Sequence, residues 1–157
     1  MRRPFAIGPI AALLYVVAWL LPVAEGASTL GTGVVPGWEA LRVALSPLWP
    51  YERFIAEGSL RASLSVASGV TNLAFVSACW ALLQARANGR SVRWIAFPLL
   101  VAAVINATWL WSSPAELSWG YYCWLASFIL LALAADRTSG ATDPPDAPAP
   151  EVEHTPM

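Results

Sequence analysis

Residues 94–135 read WIAFPLLVAAVINATWLWSSPAELSWGYYCWLASFILLALAA, and Glu116 is the one charged residue among them. Two apolar runs, 94–112 and 117–135, flank a short turn at 113–116 that contains a proline. At about 1.5 Å per residue, each run reaches about 30 Å as a helix, which matches the hydrocarbon core of a bilayer. The stretch predicts two antiparallel membrane-spanning helices joined by a tight outer turn.

Two further runs, residues 5–24 and 66–84, are of similar length and contain no Asp, Glu, Lys, Arg or His. A backbone in lipid must satisfy its own hydrogen bonds, which leaves helices as the serious option at this length. The sequence therefore predicts an all-α fold, in which residues 1–136 form a bundle of four transmembrane helices. A loop at 25–65 follows the first span, and residues 137–157, which are proline-rich and acidic, should be a disordered cytoplasmic tail.

The composition supports lipid as the solvent of this chain. Of 157 residues, 57% are hydrophobic and 12% are charged, whereas about 25% are charged in a typical soluble domain. The longest basic cluster is Arg86, Arg90 and Arg93, in the short loop between the second and third spans. Three arginines are too few for a phosphate-neutralising stripe, so no nucleic-acid partner is expected.

The arginines predict the orientation. If the N-terminus is inside, six arginines face the cytoplasm and three face outward. The inner set is Arg2, Arg3, Arg86, Arg90, Arg93 and Arg137, and the outer set is Arg42, Arg53 and Arg61. The positive-inside rule then places both termini in the cytoplasm. We expect the protein to lie in the inner, cytoplasmic membrane. The first apolar run is longer than a signal-peptide core and lacks a good cleavage site, which favours a retained span.

The outer loop contains two candidate short helices. Residues 26–33 are rich in glycine and are expected to be flexible. Residues 37–46 place Trp38, Leu41 and Leu45 on one face of an amphipathic helix, and residues 50–57 form the second candidate.

Trp38 and Trp49 suggest that this segment lies flat on the outer leaflet, because tryptophan prefers the headgroup region. The alternative is a lid packed over the mouth of the bundle. Other tryptophans form the expected membrane belts: Trp19, Trp109, Trp111 and Trp119 at the outer face, and Trp80 and Trp94 at the inner face.

Neutral polar residues form a candidate layer in the outer third of the spans. Asn72 and Asn106 each lie about six residues, or about 9 Å, below the outer end of their span. Cys123 is level with them, and Tyr121 or Tyr122 lies close by. The simpler interpretation is hydrogen bonding between helices, with each bond contributing about 0.6 kcal/mol. The other is a shallow outward-facing site for a small neutral or lipid-like ligand, formed by Asn72, Asn106, Tyr122 and Cys123.

The outer-loop carboxylates Glu39, Glu52 and Glu57 are the candidate acids and bases. Ion pairs with arginines on exposed helix faces explain Glu39 and Glu57 without catalysis. No His, Cys and carboxylate cluster has the spacing of a metal site, so neither a metal nor a cofactor is expected. Spans without ionisable groups also argue against proton pumping and voltage sensing.

Several short motifs carry a family resemblance. They are Leu21-Pro22-Val23, Gly37-Trp38-Glu39-Ala40-Leu41, Asn72, and the segment from Gly120 to Ser127, which reads GYYCWLAS. The chain resembles small uncharacterised four-helix proteins of the bacterial inner membrane. That resemblance covers residues 5–135, implies the four-helix fold, and assigns neither an activity nor a functional residue.

These observations leave three functional hypotheses. The first is a non-enzymatic accessory or scaffold protein that acts through contacts with membrane lipid or a membrane-protein partner. The second is a small-solute or lipid carrier, or a pore formed by homo-oligomerisation. The third is a membrane enzyme that uses Glu39, Glu52 or Glu57.

Overall fold

The computed structural model describes residues 7–28, 31–49, 58–112 and 116–137, and within these ranges the protein is mostly helical. The elements in chain order are α1 (Ile7–Leu20), β1 (Pro22–Ser28), β2 (Gly31–Pro36), α2 (Gly37–Ala44), α3 (Ser59–Asn88), α4 (Ala96–Ala107), α5 (Trp109–Ser112) and α6 (Trp119–Asp136). A 3-10 turn at Arg93–Ile95 leads into α4.

Three helical segments are long and apolar enough to cross a membrane: Ser59–Asn88, Arg93–Ser112 and Trp119–Asp136. They indicate a multi-pass membrane protein. The second of these consists of the 3-10 turn, α4 and α5, and it is interrupted at Thr108. The Thr108 hydroxyl donates a hydrogen bond to the backbone oxygen of Ile105 at 2.6 Å.

The first apolar helix is shorter than the expected span at 5–24. It contains 14 residues, which gives about 21 Å, and it ends at Leu20. Pro22 lacks a backbone N–H and disfavours helical geometry at Leu21, so the chain leaves the helix there and enters β1.

A β-hairpin replaces the flexible segment expected at 26–33. The two strands pair antiparallel, with Gly26 opposite Gly33, and the register is irregular near Pro22. An isolated bridge between Ala24 and Leu117 joins β1 to the chain just before α6. Residues 26–28 and 31–33 of the segment expected to be flexible thus have regular strand pairing.

The second long helix begins earlier than expected. α3 starts at Ser59 instead of residue 66 and contains 30 residues, so it is about 45 Å long and exceeds the hydrocarbon thickness. It ends at Gly89, whose φ of 63° is the left-handed conformation typical of a helix C-terminus. The candidate helix at 50–57, with Glu52 and Glu57, and the tail from residue 138 lie outside the described residues.

The amphipathic helix expected at 37–46 is present as α2, and it packs closely on the bundle. A Cβ on Gly69 would lie 2.8 Å from Cδ2 of Leu45, at the end of α2. A Cβ on Gly37 would lie 2.7 Å from the Cα of Trp19, at the end of α1. These two glycines allow α2 to contact α1 and α3 directly, so α2 packs against one end of the bundle.

The centre of the bundle is filled by aromatic rings. Tyr15 stacks on Phe75 with ring centroids 4.1 Å apart, and Phe75 contacts Phe128 at 5.0 Å. Phe128 and Leu131 are almost fully buried, and both lie on α6, which packs along α1. This core supports the polar residues that lie between it and α2.

Candidate binding cavity

A cavity of about 190 Å³ lies between α2 and the polar residues above the aromatic core. Its walls come from α1, the hairpin, α2, α3 and α6, with Ala18 and Trp19, Ala40 and Leu41, and Asn72 among the lining residues. For scale, an apolar cavity of about 150 Å³ holds a benzene molecule. The space therefore accommodates a small organic group.

The cavity is long relative to its volume. Arg61 and Asn72 both line it, and they are separated by eleven residues, or about 16 Å, along α3. Arg61 is exposed, whereas Asn72 is only 9% exposed. Arg61 thus marks the mouth of the cavity and Asn72 marks its floor.

The Asn72 side chain is held by three helices. Its Oδ1 accepts hydrogen bonds from the Tyr15 hydroxyl at 2.9 Å and from the Trp124 ring N–H at 3.1 Å. Its Nδ2 donates to the backbone oxygen of Gly69 at 3.1 Å. The amide oxygen already has two donors, so Asn72 closes the floor with its polar atoms engaged inside the protein.

Asn106 forms a second polar centre behind the cavity wall, and it is fully buried. Its Oδ1 accepts from the Ser68 hydroxyl at 2.7 Å, and its Nδ2 donates to Oγ1 of Thr71 at 3.1 Å. The Tyr121 hydroxyl donates to the backbone oxygen of Asn106. One residue of α4 is therefore tied to both α3 and α6.

The four residues of the expected polar layer have different environments. Asn72 and Asn106 lie in neighbouring hydrogen-bond clusters on either side of Ser68. Tyr122 is 46% exposed and contacts the ring of Trp119, while Tyr121 occupies the buried position beside Asn106. Cys123 is half-buried and has a free thiol, as has Cys79.

The predicted polar layer does not include Thr71 and Trp124, and it gives Tyr121 only as an alternative to Tyr122. The spacing of Tyr121, Trp124 and Phe128 at i, i+3 and i+7 could have identified the inward face of α6. The rings do contact along that face, with Tyr121 and Trp124 6.0 Å apart and Trp124 perpendicular to Phe128 at 5.6 Å. α6 is apolar on every side, so the contrast between polar and apolar faces that normally reveals a buried face is missing.

Among the described residues that line the cavity, Arg61 and Glu116 are charged. The guanidinium of Arg61 lies 6.0 Å from the centre of the Trp109 ring, and Glu116 is half-buried. Glu25, nearby on β1, accepts a hydrogen bond from the Ser118 hydroxyl at 2.6 Å. The described lining thus includes a cation beside an aromatic ring and a half-buried carboxylate.

Of the three expected catalytic carboxylates, the structure describes Glu39. Glu39 lies on α2 beside the lining residue Ala40, and Glu52 and Glu57 lie outside the described residues. Within residues 7–28, 31–49, 58–112 and 116–137, no group of three or more His, Cys, Asp or Glu side chains could hold a metal ion. What the geometry offers is a mostly apolar space with Arg61 and Glu116 among its described lining residues.

Comparison of the chain with protein-family models, with curated proteins and with solved structures gives no match.

Proposed function

We propose that this protein is a four-span, non-enzymatic accessory protein of the cytoplasmic membrane, which binds a small lipid-like ligand in the cavity beneath α2. The observation that carries the proposal is the cavity itself. It is lined mainly by apolar and aromatic side chains, with few polar groups, as small-molecule sites in proteins generally are.

The exposed face of α1 supports a fourth span. Ala11, Tyr15 and Ala18 face the bundle, whereas a row of large apolar side chains is exposed on the opposite side: Ile10, Leu13, Val16 and Leu20. Such a row is unfavourable in water and is stable against acyl chains. A helix as short as α1 can still cross the bilayer if the bilayer is locally thinner or if the neighbouring helices tilt.

The arginines support the orientation. Arg86, Arg90 and Arg93 cluster at the end of the bundle where α3 leads into α4, opposite the end that α2 covers. If this arginine-rich end is cytoplasmic, the cavity opens toward the outer leaflet.

The polar side chains around the cavity support binding over catalysis. The Ser65 hydroxyl donates to the backbone oxygen of Ala44 at 3.1 Å, and the Ser68 hydroxyl donates to Asn106. The Tyr121 hydroxyl is likewise engaged with Asn106. These three hydroxyl groups are therefore committed to holding the helices together.

The filled centre of the bundle favours binding over conduction through one protomer. Phe75 and Phe128 lie directly below the residues that close the cavity floor, and both are almost fully buried. Solute passage would require this aromatic core to separate, whereas binding at one membrane face leaves it intact.

Native mass spectrometry of protein extracted from its own membrane tests the proposal. We expect wild type to carry one small adduct per protomer and Ala40→Trp to lose it, because a ring at residue 40 fills the cavity. Ala74→Trp, on the exposed face of α3, is the matched control and should keep the adduct. Equal adducts in wild type and Ala40→Trp, or none in wild type, would overturn the proposal.

A further inference from the structure

We infer that the arginine-rich end of the bundle binds an anionic phospholipid, whose phosphate contacts Arg86 and Arg90 and whose acyl chains lie along the exposed face of α3. This site is separate from the cavity, which is lined by the first half of α3. Three features support it: the position of the Arg86 guanidinium, the apolar face that leads to it, and the depth of both in a bilayer.

The Arg86 side chain reaches from α3 to the start of α1. A Cβ on Gly8 would lie 3.3 Å from Nη2 of Arg86 and 4.0 Å from its Cζ, so the guanidinium lies against the backbone of α1. Gly8 is on the same face of α1 as Ala11 and Tyr15, which are buried in the bundle. Arg86 thus lies where α1 and α3 meet, and it is exposed to a ligand from outside.

The backbone of Arg90 lies close to that of Arg86, because the chain turns back at the end of α3. The Arg90 backbone N–H donates to the backbone oxygen of Ala85 at 3.0 Å. Arg90 is exposed, and within the described parts of the chain neither of these two arginines pairs with a carboxylate. Two neighbouring guanidinium groups can therefore approach one phosphate, whose oxygens match their planar donors.

An exposed apolar face of α3 leads to Arg86. Val76, Trp80 and Leu83 follow one another at i, i+4 and i+7, and all three are exposed. Leu83 precedes Arg86 by three residues, so these two side chains are neighbours on the helix surface. A hydrocarbon chain along this face and an anionic headgroup at its end are the two parts of an anionic phospholipid. A free phosphate ion would use only the second part, which favours a lipid as the occupant.

The length of α3 places Arg86 at the level of the lipid headgroups. Ser59, at the start of the helix, and Arg86 are twenty-seven residues apart, or about 40 Å. A bilayer with both headgroup layers is about 40–45 Å thick, so a helix that begins in one layer brings Arg86 to the other. Trp94, which begins the next span, is also exposed, and tryptophan prefers this depth.

The chain itself contains a competing anion, the acidic segment that follows α6. Residues 138–157 lie outside the described residues, and they contain four acids: Asp143, Asp146, Glu151 and Glu153. α6 ends at Asp136, which pairs with Arg93, so this segment starts at the arginine-rich end. These acids carry no hydrocarbon chain for the apolar face of α3, which favours the lipid, and the test includes them as competitors.

The test uses full-length protein in a non-ionic detergent, with lipid binding counted by native mass spectrometry. The probes are phosphatidylglycerol and phosphatidylethanolamine with the same acyl chains, and inorganic phosphate as the anion without chains. We expect one phosphatidylglycerol to bind per protomer, at least about fivefold more tightly than phosphatidylethanolamine, which is the gain from one arginine near an anionic lipid. Inorganic phosphate at the same concentration should not displace it.

The variants separate the arginines that bind lipid from the paired one. Arg86→Gln and Arg90→Gln should each weaken phosphatidylglycerol binding by about fivefold. Arg86→Lys keeps the charge and should retain most of the binding, which would show that the loss is not due to misfolding. The matched control combines Arg93→Gln with Asp136→Asn, because it removes a charge pair 2.9 Å apart at the same end and keeps the net charge. It should change the affinity by less than about twofold.

Equal affinities for the two lipids, or unchanged phosphatidylglycerol binding in both Arg86→Gln and Arg90→Gln, would overturn the inference. Displacement by inorganic phosphate would do the same, since the acyl chains would then have no role. Replacing the four acids of residues 138–157 by their amides should leave the affinity unchanged. A gain of about fivefold or more would show that this segment, and not a lipid, occupies the arginines of the full-length chain.

Discussion

The hydroxyl of Ser68 on α3 donates a hydrogen bond to Oδ1 of Asn106 on α4 at 2.7 Å, and both side chains are buried. The Asn106 amide returns a hydrogen bond to Thr71, one turn further along α3. Each of the two helices thus donates a hydrogen bond to the other at the same level of the bundle. In lipid, such bonds fix which faces of the helices pack together.

The first prediction concerns the strength of this link. In a double-mutant cycle, Ser68→Ala and Asn106→Ala should show a coupling energy of about 0.6 kcal/mol, with about 1.7 kcal/mol as the upper range. Asn106→Ala alone should cost about 1–3 kcal/mol, because it leaves several partners without a hydrogen bond and opens a small void. Reversible unfolding in mixed micelles measures both quantities.

Ser77→Ala is the control for this cycle, since Ser77 is exposed on α3. It should change the free energy of unfolding by less than about 0.5 kcal/mol. A coupling energy near zero between Ser68 and Asn106 would show that the two helices are held by packing alone.

The second prediction compares two adjacent tyrosines. Tyr121→Phe removes the hydroxyl that donates to Asn106 and should lower the free energy of unfolding by about 0.5–1.5 kcal/mol. Tyr122→Phe should have almost no effect, because Tyr122 is 46% exposed. Equal losses from the two variants, measured in the same unfolding assay, would place Tyr122 in the polar layer after all.

The third prediction concerns the attachment of α2. Gly37→Ala should destabilise the protein by about 1–3 kcal/mol, since the new methyl group would press on the backbone of α1 at Ala18 and Trp19. Gly33→Ala is the matched control, because nothing lies within 4 Å of a Cβ there. Thermal unfolding in detergent gives both values, and a Gly37→Ala protein as stable as wild type would mean that α2 does not contact α1.

The fourth prediction concerns the exposed ion pair between Arg93 and Asp136, at the end of the bundle opposite the cavity. Arg93 and Asp136 are 72% and 55% exposed, so solvent screens their attraction. Arg93→Gln should change the free energy of unfolding by less than about 1 kcal/mol, and the change should shrink further in high salt. A larger, salt-independent loss would indicate that Arg93 has a structural role beyond this pair.

Hydropathy and length were enough to predict the positions of the long helices, because a segment that crosses a membrane must be apolar and long enough to span it. The same reasoning missed the end of α1, where Pro22 outweighs the apolar run that continues to residue 24. It also missed the hairpin. Gly26 and Gly33 suggest flexibility when only local preference is considered, whereas in the structure they pair across the hairpin, and Ala24 in β1 also forms a bridge to Leu117.

The depths of Asn72 and Asn106 could be estimated from the sequence, because rise per residue fixes depth once a span is located. The direction of each side chain around its helix could not be estimated for α6. Tyr121 and Tyr122 differ by about 100° around the helix, and both sides of α6 are apolar. The cavity depends on where α2 sits, and close approach at Gly37 and Gly69 involves residues distant in sequence.

The most direct test of the account is the labelling of the two ends of α3. Single cysteines at Ser59 and Asn88, in a background with Cys79→Ala and Cys123→Ala, are treated with a membrane-impermeant maleimide on intact spheroplasts. The account predicts that Ser59→Cys reacts before lysis and that Asn88→Cys reacts only after it. Reaction of both cysteines before lysis, or of Asn88→Cys alone, would contradict a bundle that crosses the membrane with its cavity facing outward.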